Sequence, residues 1–334
     1  MNSTSQTGKN PDRTLAILDV GHGNCAVLRD EMGIVVIDAG PGSGLLQYLG
    51  DHNITHVNVL LLSHADKDHI GGAAQLLASK TVTIGRVCLN TDSAKGSDVW
   101  DDLVYELNRA DNAGKLQFEV SLVHDVSGQY DQGKVRIEIL GPSKYLAAKG
   151  AGSTDRHGRK MSNNSLSAVI RLVQAGKPIA TLSGDVDEIG LDDLIDNKVD
   201  LQAASLVYPH HGGKGGRDES RFVIKLCSLV KPSTVIFSVA RGRAKHPLPD
   251  IINLVRKNVK DVRIACTQLT HHCAAKISLA KPNHLAAVYA HGRDSRHCCA
   301  GTVLVLLNTP DTILPDRKAH EAFIAAAAPS ALCR

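Results

Sequence analysis

Short, strongly apolar runs separated by glycine-rich turns fill the first part of the chain. Residues 15–20 predict a strand that ends in the turn Gly21-His22-Gly23-Asn24, and residues 25–28 and 34–38 predict a hairpin around Asp30-Glu31-Met32-Gly33. Residues 57–62 are almost continuously apolar rather than alternating, the pattern of a strand buried on both faces inside a layered α/β protein. Residues 45–49 and 73–78 read as helix starts. Further on, 84–89 and 135–140 carry strand signals around a helical stretch at 99–109, and 150–160 is a polar, glycine-containing loop. A second strand-rich half follows at 166–173, 179–182, 204–208 and 234–239, with helices predicted at 191–195 and 249–258 and an alanine-rich final helix after Pro315. Two halves of similar strand and helix content suggest a pseudo-duplicated sandwich.

Three of these strands end in residues able to bind a metal. The run 57–62 leads straight into Ser63-His64-Ala65-Asp66-Lys67-Asp68-His69-Ile70-Gly71-Gly72, and the carboxyl end of a buried strand is where open α/β sheets place their sites. His64, Asp66, Asp68 and His69 supply two imidazoles and two carboxylates within six residues. Imidazole and carboxylate oxygen suit Zn²⁺, Mn²⁺ or Fe, and the lack of a nearby thiolate argues against a closed structural zinc site. In a tight loop, positions two apart can address one ion while the adjacent Asp68-His69 addresses a second. Ser183-Gly184-Asp185 ends the run 179–182 and offers a carboxylate that could bridge two ions. Tyr208-Pro209-His210-His211-Gly212-Gly213 follows another apolar run and offers an imidazole from either His210 or His211. A single strand-end aspartate is an ordinary turn or helix cap. Three strand ends that all present metal-compatible groups are not explained that way.

These pieces, in this order, resemble the metallo-β-lactamase fold superfamily, and within it the hydrolase domain of the ComEC/Rec2-type competence proteins. The matching segments are Asp19-Val20-Gly21-His22-Gly23-Asn24, residues 63–72, Asn163-Asn164-Ser165-Leu166, Leu182-Ser183-Gly184-Asp185, His210-His211-Gly212 and His246-Pro247. The resemblance covers residues 14–260 and implies an α/β fold, a four-layer αββα sandwich with metals at one edge between two sheets. By it, His64 and Asp66 serve one ion, Asp68, His69 and one of His210 and His211 serve the other, and Asp185 bridges. The superfamily more often has histidine where Asp66 stands, and another histidine before the bridging aspartate, where this chain has Asn163-Asn164. Both departures resemble the ComEC-like branch and leave the first position poorer in nitrogen. They make Mn²⁺ a rival to Zn²⁺, with one or two ions bound. The resemblance also puts His22 near the metals, at a position where the family usually carries a glutamine-like residue. Asp68 and His246 are the catalytic candidates, His246 either stabilising a leaving oxygen or holding substrate. A bound metal lowers the pKa of its water from about 15.7 toward 7.

Composition narrows the function further. The 334 residues are 43% hydrophobic and only 3% aromatic, so the core must be aliphatic, and recognition by aromatic stacking is disfavoured. The net charge of +4 is mild, but three basic clusters stand out: Arg156, His157, Arg159 and Lys160; Lys214, Arg217 and Arg221; and Arg241, Arg243, Lys245 and His246. Any one of them reads as a solvated loop. Their closeness to the metal segments makes Lys214, Arg241, Arg243 and Lys245, with Asn164, the candidate substrate contacts. No apolar run reaches the ~18 residues of a membrane span. Residues 1–13 are polar without a signal-like core and read as a disordered tail, 14–310 as the hydrolase domain, and 311–334 as a C-terminal tail or helix.

Eight cysteines spread over the chain do not form the spacing of a disulfide framework, which points to a reducing cytoplasm. In the late segment 262–305, Cys266, Cys273, Cys298 and Cys299 are candidate ligands of an additional structural Zn²⁺, or else free core thiols. The expected function is a metal-dependent phosphodiesterase or nuclease, acting on nucleic acid or a nucleotide, with a protein partner and an open oligomeric state. Its binding should weaken with salt. The alternatives are a carboxylic ester, thioester or lactone hydrolase at the same site, and a partner-binding module that keeps the fold without turnover. The intact ligand set argues against the last.

Overall fold

In the computed structural model, which describes residues 13–242, 245–277, 281–309 and 311–334, the apolar runs pair into two sheets. Strands β1 (Thr14–Ile17), β2 (Cys25–Arg29), β3 (Ile34–Ala39), β4 (His56–Leu61), β5 (Thr83–Cys88) and β6 (Gln117–Glu119) belong to the first sheet. Strands β7 (Val135–Gly141), β8 (Val169–Gln174), β9 (Lys177–Leu182), β10 (Ser205–Val207), β11 (Thr234–Phe237) and β12 (Arg263–Cys266) form the second. The chain then returns: β13 (Val303–Leu306) pairs antiparallel with β1, and β14 (Ile313–Leu314) lies outside it. The resulting orders are β14-β13-β1-β2-β3-β4-β5-β6 and β12-β11-β10-β9-β8-β7. Pairs from β3 to β6 and from β9 to β12 are parallel, which aligns the carboxyl ends of β4, β9, β10 and β11.

The near-continuous apolarity of the strands follows from burial on both faces. Leu15, Ile17, Val59 and Leu61 point between the sheets to meet Ile137, Ile139, Ile170 and Val207. Their neighbours Ala16, Leu60 and Leu62 turn outward beneath α1 (Gly44–Asp51), α2 (Lys67–Ile70), α3 (Ala73–Leu77) and α4 (Asp98–Asn112), through Leu45, Ile70, Leu76 and Leu103. After the short α5 (Lys144–Lys149), the outer face of the second sheet is covered by α6 (Glu188–Asp196), α7 (Glu219–Val230), α8 (Pro249–Asn258) and α9 (Arg317–Ala327). Leu194, Phe222, Leu226, Val255 and Ile324 pack there on Leu206, Val235 and Ile264. The architecture is therefore an αββα sandwich. Each fully buried leucine or isoleucine contributes roughly 1.5–3 kcal/mol.

Several elements were not read from the sequence. Helix α7 carries buried residues at 222, 223, 226, 227 and 230, a helical spacing that the flanking arginines obscured. Its start is capped by Asp218, which accepts from the Arg221 amide. Strands β12 and β13 are only four residues long, too short for periodicity to declare them. The expected N-terminal tail falls on residues 1–12, outside the described residues, whereas Arg13 is buried and paired with Asp30 at 2.7 Å. Among the described residues, no helix is long and apolar enough to cross a membrane.

Candidate metal centre

The loop after β4 is anchored by the acid near the end of β3. Asp38 accepts hydrogen bonds from the Ser63 amide (2.7 Å) and the Ser63 hydroxyl (2.9 Å), and its carboxylate lies 2.7 Å from His69 Nδ1. That contact fixes the His69 ring so that Nε2 faces Asp185 Oδ1 at 3.3 Å. The one-turn helix α2 carries Asp68 and His69, with Asp66 at its N-cap. His64 stacks obliquely on His69, ring centroids 4.0 Å apart, and its Nδ1 lies 3.0 Å from Ser63 Oγ and 3.3 Å from Ser167 Oγ.

Asp185 follows β9 through Gly184, whose φ of +51° and contact with Ser167 leave no space for a side chain: an added Cβ would lie 2.3 Å from Ser167 Oγ. The Asp185 amide donates to that same hydroxyl (2.9 Å), and Asp185 Oδ1 accepts from the His210 amide (2.9 Å). After β10, His210 and His211 adopt left-handed backbone in succession, with φ of 52° and 53°. Such a conformation costs a non-glycine residue about 1–2 kcal/mol. It is held by the Asp185 contact and by His211 Nδ1, 2.8 Å from the Ser238 carbonyl. The buried His211 then presents Nε2 to Asp68 Oδ2 at 3.2 Å, while His210 Nδ1 stands 3.6 Å from Asp185 Oδ2.

Two ligand sets result: His64, His69 and Asp185, and His22, Asp68 and His211, the ligand atoms of each set lying within 4.8 Å of one another. The Nε2 atoms of His64, His69 and His211 are buried without a hydrogen-bond partner. Stranding one such group costs about 1–3 kcal/mol. Several converging on carboxylates fit a divalent cation that prefers nitrogen and oxygen donors. The opposite nitrogens of His69 and His211 are oriented by Asp38 and by a backbone carbonyl, as ligating histidines usually are.

The carboxylates and His22 agree with that fit. Burial opposes ionisation of Asp185, yet His69 and His211 hold its carboxyl well below the usual range. Asp68 is likewise brought to about 2, burial being outweighed by His211 and His69. Burial also disfavours a charged His69, but without an ion Asp185 and Asp38 hold its pKa well above the ordinary range, so a cation that takes Nε2 has to displace a proton there. His22 is pushed down to about 4 by burial and the neighbouring His211, leaving a neutral imidazole.

The other candidate residues fall in different places. Asp66 lies 3.3 Å from His64 Nε2 and also pairs with Lys95, and among the described residues it joins neither ligand set. His246 is half-buried with Nδ1 unpartnered, 6.5 Å between its ring and that of His22. Asn164 opens the short turn Asn164–Leu166 that leads to Ser167, and its Oδ1 and the Asn163 Nδ2 are buried without partners. Lys214 and Lys245 are exposed beside Gly213 and His246, and an added Cβ at Gly213 would lie 2.7 Å from the His246 ring. Arg241 instead donates to the carbonyls of Leu269, Thr270, Ala274 and Ala275 and pins that loop. Arg243 lies outside the described residues. Arg156 and Arg159 are paired with Asp196, Asp155 and Asp192.

Of the late cysteines, Cys266, Cys273 and Cys299 share one core cluster, with Cys333 packed against it. Cys266, Cys273, Cys298 and Cys299 are buried and free. Cys298 donates to Asp19 (3.5 Å) and Cys299 lies 3.3 Å from His320 Nε2. Among the described residues no three of these thiols share a 4.8 Å ligand group. Sequence reasoning missed Asp38, Ser167 and Lys95. Asp38 ends an apolar strand as Asp185 does and carried the same signal. Nothing local marks the other two.

The family model described as the metallo-beta-lactamase superfamily matches residues 18–213, more than half of the chain. Over 217 residues the chain is 26% identical to ComE operon protein 3 of Bacillus subtilis (strain 168), covering 64% of this chain and 24% of that protein. The chain thus spans about a quarter of that relative's length. Among solved structures, it is similar to the metallo-beta-lactamase fold protein YhfI from Bacillus subtilis (TM-score 0.47, 10% identity, 76% of this chain and 97% of that one). It is also similar to a metallo hydrolase from the archaeon Ignicoccus hospitalis (TM-score 0.44, 14% identity, 76% and 94%).

Proposed function

The chain belongs to the metallo-β-lactamase superfamily of metal-dependent hydrolases, and from that premise we propose that it is a phosphodiesterase acting on a nucleic acid or nucleotide. The ligands we assign are His64, His69 and Asp185 for one divalent ion, Zn²⁺ or Mn²⁺, and Asp68 and His211 for a second, with Asp66 beside His64. When bound, such an ion supplies Lewis acidity and a water acidified toward neutral pH. Asp38 and the Ser238 carbonyl keep the imidazoles aimed, and the Asp185 contact to the His210 amide keeps the strained turn in place. His246, its Nδ1 free, would hold a substrate oxygen or the leaving oxygen.

The observation that carries the phosphodiester reading is the pairing of a largely buried set of imidazoles and carboxylates with exposed lysines beside Gly213 and His246. Lys214 and Lys245 are exposed and, among the described residues, make no ion pair, although they flank His246. Cations in that position draw phosphate and release counterions on binding. Eight free cysteines support a reducing, cytoplasmic setting. Purified protein loaded with Mn²⁺ or Zn²⁺ should turn over bis-p-nitrophenyl phosphate and single-stranded DNA and leave a lactone panel intact. Asp68→Ala should reduce turnover at least a hundredfold. Metal-loaded protein that hydrolyses only the lactones would replace this reading with a carboxylic ester or lactone hydrolase.

A further inference from the structure

The structure assigns His22 as a ligand of the second ion, completing with Asp68 and His211 a set of two imidazoles and one carboxylate. This rests on the metal-dependent reading of the site and deepens it. The set matches the composition of the other one, His64, His69 and Asp185, so each ion would have three protein donors and open positions for water and substrate. Zn²⁺, Mn²⁺ and Fe²⁺ suit such a donor set.

The geometry is built rather than incidental. His22 Nε2 lies 3.4 Å from Asp68 Oδ2, the same oxygen that His211 Nε2 approaches at 3.2 Å, and the two rings are tilted 48° with centroids 4.7 Å apart. His22 rides on a turn pressed directly against the motif backbone. Gly23 has φ of +142°, and a Cβ there would lie 2.4 Å from the Asp68 carbonyl oxygen and 2.9 Å from Pro41. The next amide, Asn24, donates to that same Asp68 carbonyl at 3.1 Å. Only glycine lets the turn come this close, and the closeness is what places the imidazole over Asp68.

The turn is supported from the far end of the chain. The buried Asp19 accepts from the Gly21 amide (3.1 Å), the Gln268 side chain (2.8 Å) and the Gly292 amide (2.9 Å). The His291 amide in turn donates to the Asp19 carbonyl (2.9 Å). A loop that merely connected two strands would not need this bracing. Asp66, by contrast, is engaged by Lys95 and stands outside both sets. His22 therefore supplies the nitrogen that the loop after β4 lacks.

The test is metal stoichiometry and affinity, by elemental analysis and calorimetry with Zn²⁺, together with the visible spectrum of the Co²⁺-loaded protein. The parent should bind two ions per chain. His22→Ala should keep the ion of His64, His69 and Asp185, and bind the second at least tenfold more weakly, with an altered Co²⁺ spectrum. His22→Asp, which restores a donor, should recover the second ion; this separates a ligand from a residue that only packs. Asp68→Ala should lose that same ion, and Lys95→Met neither. Two ions bound by His22→Ala with affinities within threefold of the parent would overturn the assignment. So would a single ion in the parent that survives His22→Ala. If the parent binds two ions as described but cleaves no phosphodiester, the proposed substrate fails while the ligand assignment stands.

Discussion

Replacing Asp38 with alanine tests whether the proposed metal ligands are pre-set by the fold. Asp38 is 2% exposed, and its carboxylate engages the Ser63 amide, the Ser63 hydroxyl and His69 Nδ1 at 2.7, 2.9 and 2.7 Å. Alanine leaves the amide and the ring nitrogen buried without partners, at about 1–3 kcal/mol each. Removing one partner of a buried ion pair costs about 3–5 kcal/mol. The two figures describe overlapping losses, so the expected destabilisation of the metal-free protein is about 3–5 kcal/mol. Unfolding entropy scales to about 0.7 kcal/mol/K for a chain of this length, so Tm should fall by about 4–7 °C. Asp38→Asn keeps the shape and one acceptor and should cost less than half as much. Metal affinity should drop about 10–100-fold in both, because the ring of His69 loses its orientation. Differential scanning calorimetry of EDTA-treated protein and Zn²⁺ titration read the two effects separately. An Asp38→Ala protein that melts within 1 °C of the parent and binds metal within threefold would refute the argument.

Three further outcomes follow from the packing and the charges. Gly23→Ala forces a Cβ onto the Asp68 carbonyl at a φ that alanine avoids, and should cost about 2–3 kcal/mol in chemical denaturation. Lys214→Ala with Lys245→Ala should flatten the salt dependence of substrate binding by a slope of about 1.5, whereas Arg241→Ala should leave the slope and lower stability, since Arg241 is spent on backbone carbonyls. His320 is held neutral, its pKa brought from 6.5 to about 3 by burial and by the charges of Arg263 and His284. Above pH 6.5 it makes no difference to stability; as the pH falls toward 3 only the unfolded chain takes up the proton, so about 2 kcal/mol should be lost by pH 5. In urea denaturation at pH 7 and pH 5, His320→Leu should narrow that gap; an unchanged gap would assign the acid sensitivity elsewhere.

The sequence by itself determined what local pattern can encode. Runs buried on both faces announced the layered sheets, and residues 63–72, Asp185 and the His210-His211 pair announced the donor types, because strand ends and ligand chemistry are written in neighbouring residues. Tertiary structure decided everything that depends on residues far apart in the chain. It chose His211 over His210 for Asp68, because a left-handed turn held by Asp185 and Ser238 aims one ring inward. It paired Asp38 with His69 across parallel strands and tied Asp66 to Lys95. It also carried β13 back beside β1, so that Gln268 and Gly292 brace Asp19 and the turn bearing His22. The contacts to Asp19 span 249 and 273 residues, separations that no periodicity in the sequence reports and that only the closed sandwich brings to hydrogen-bonding distance.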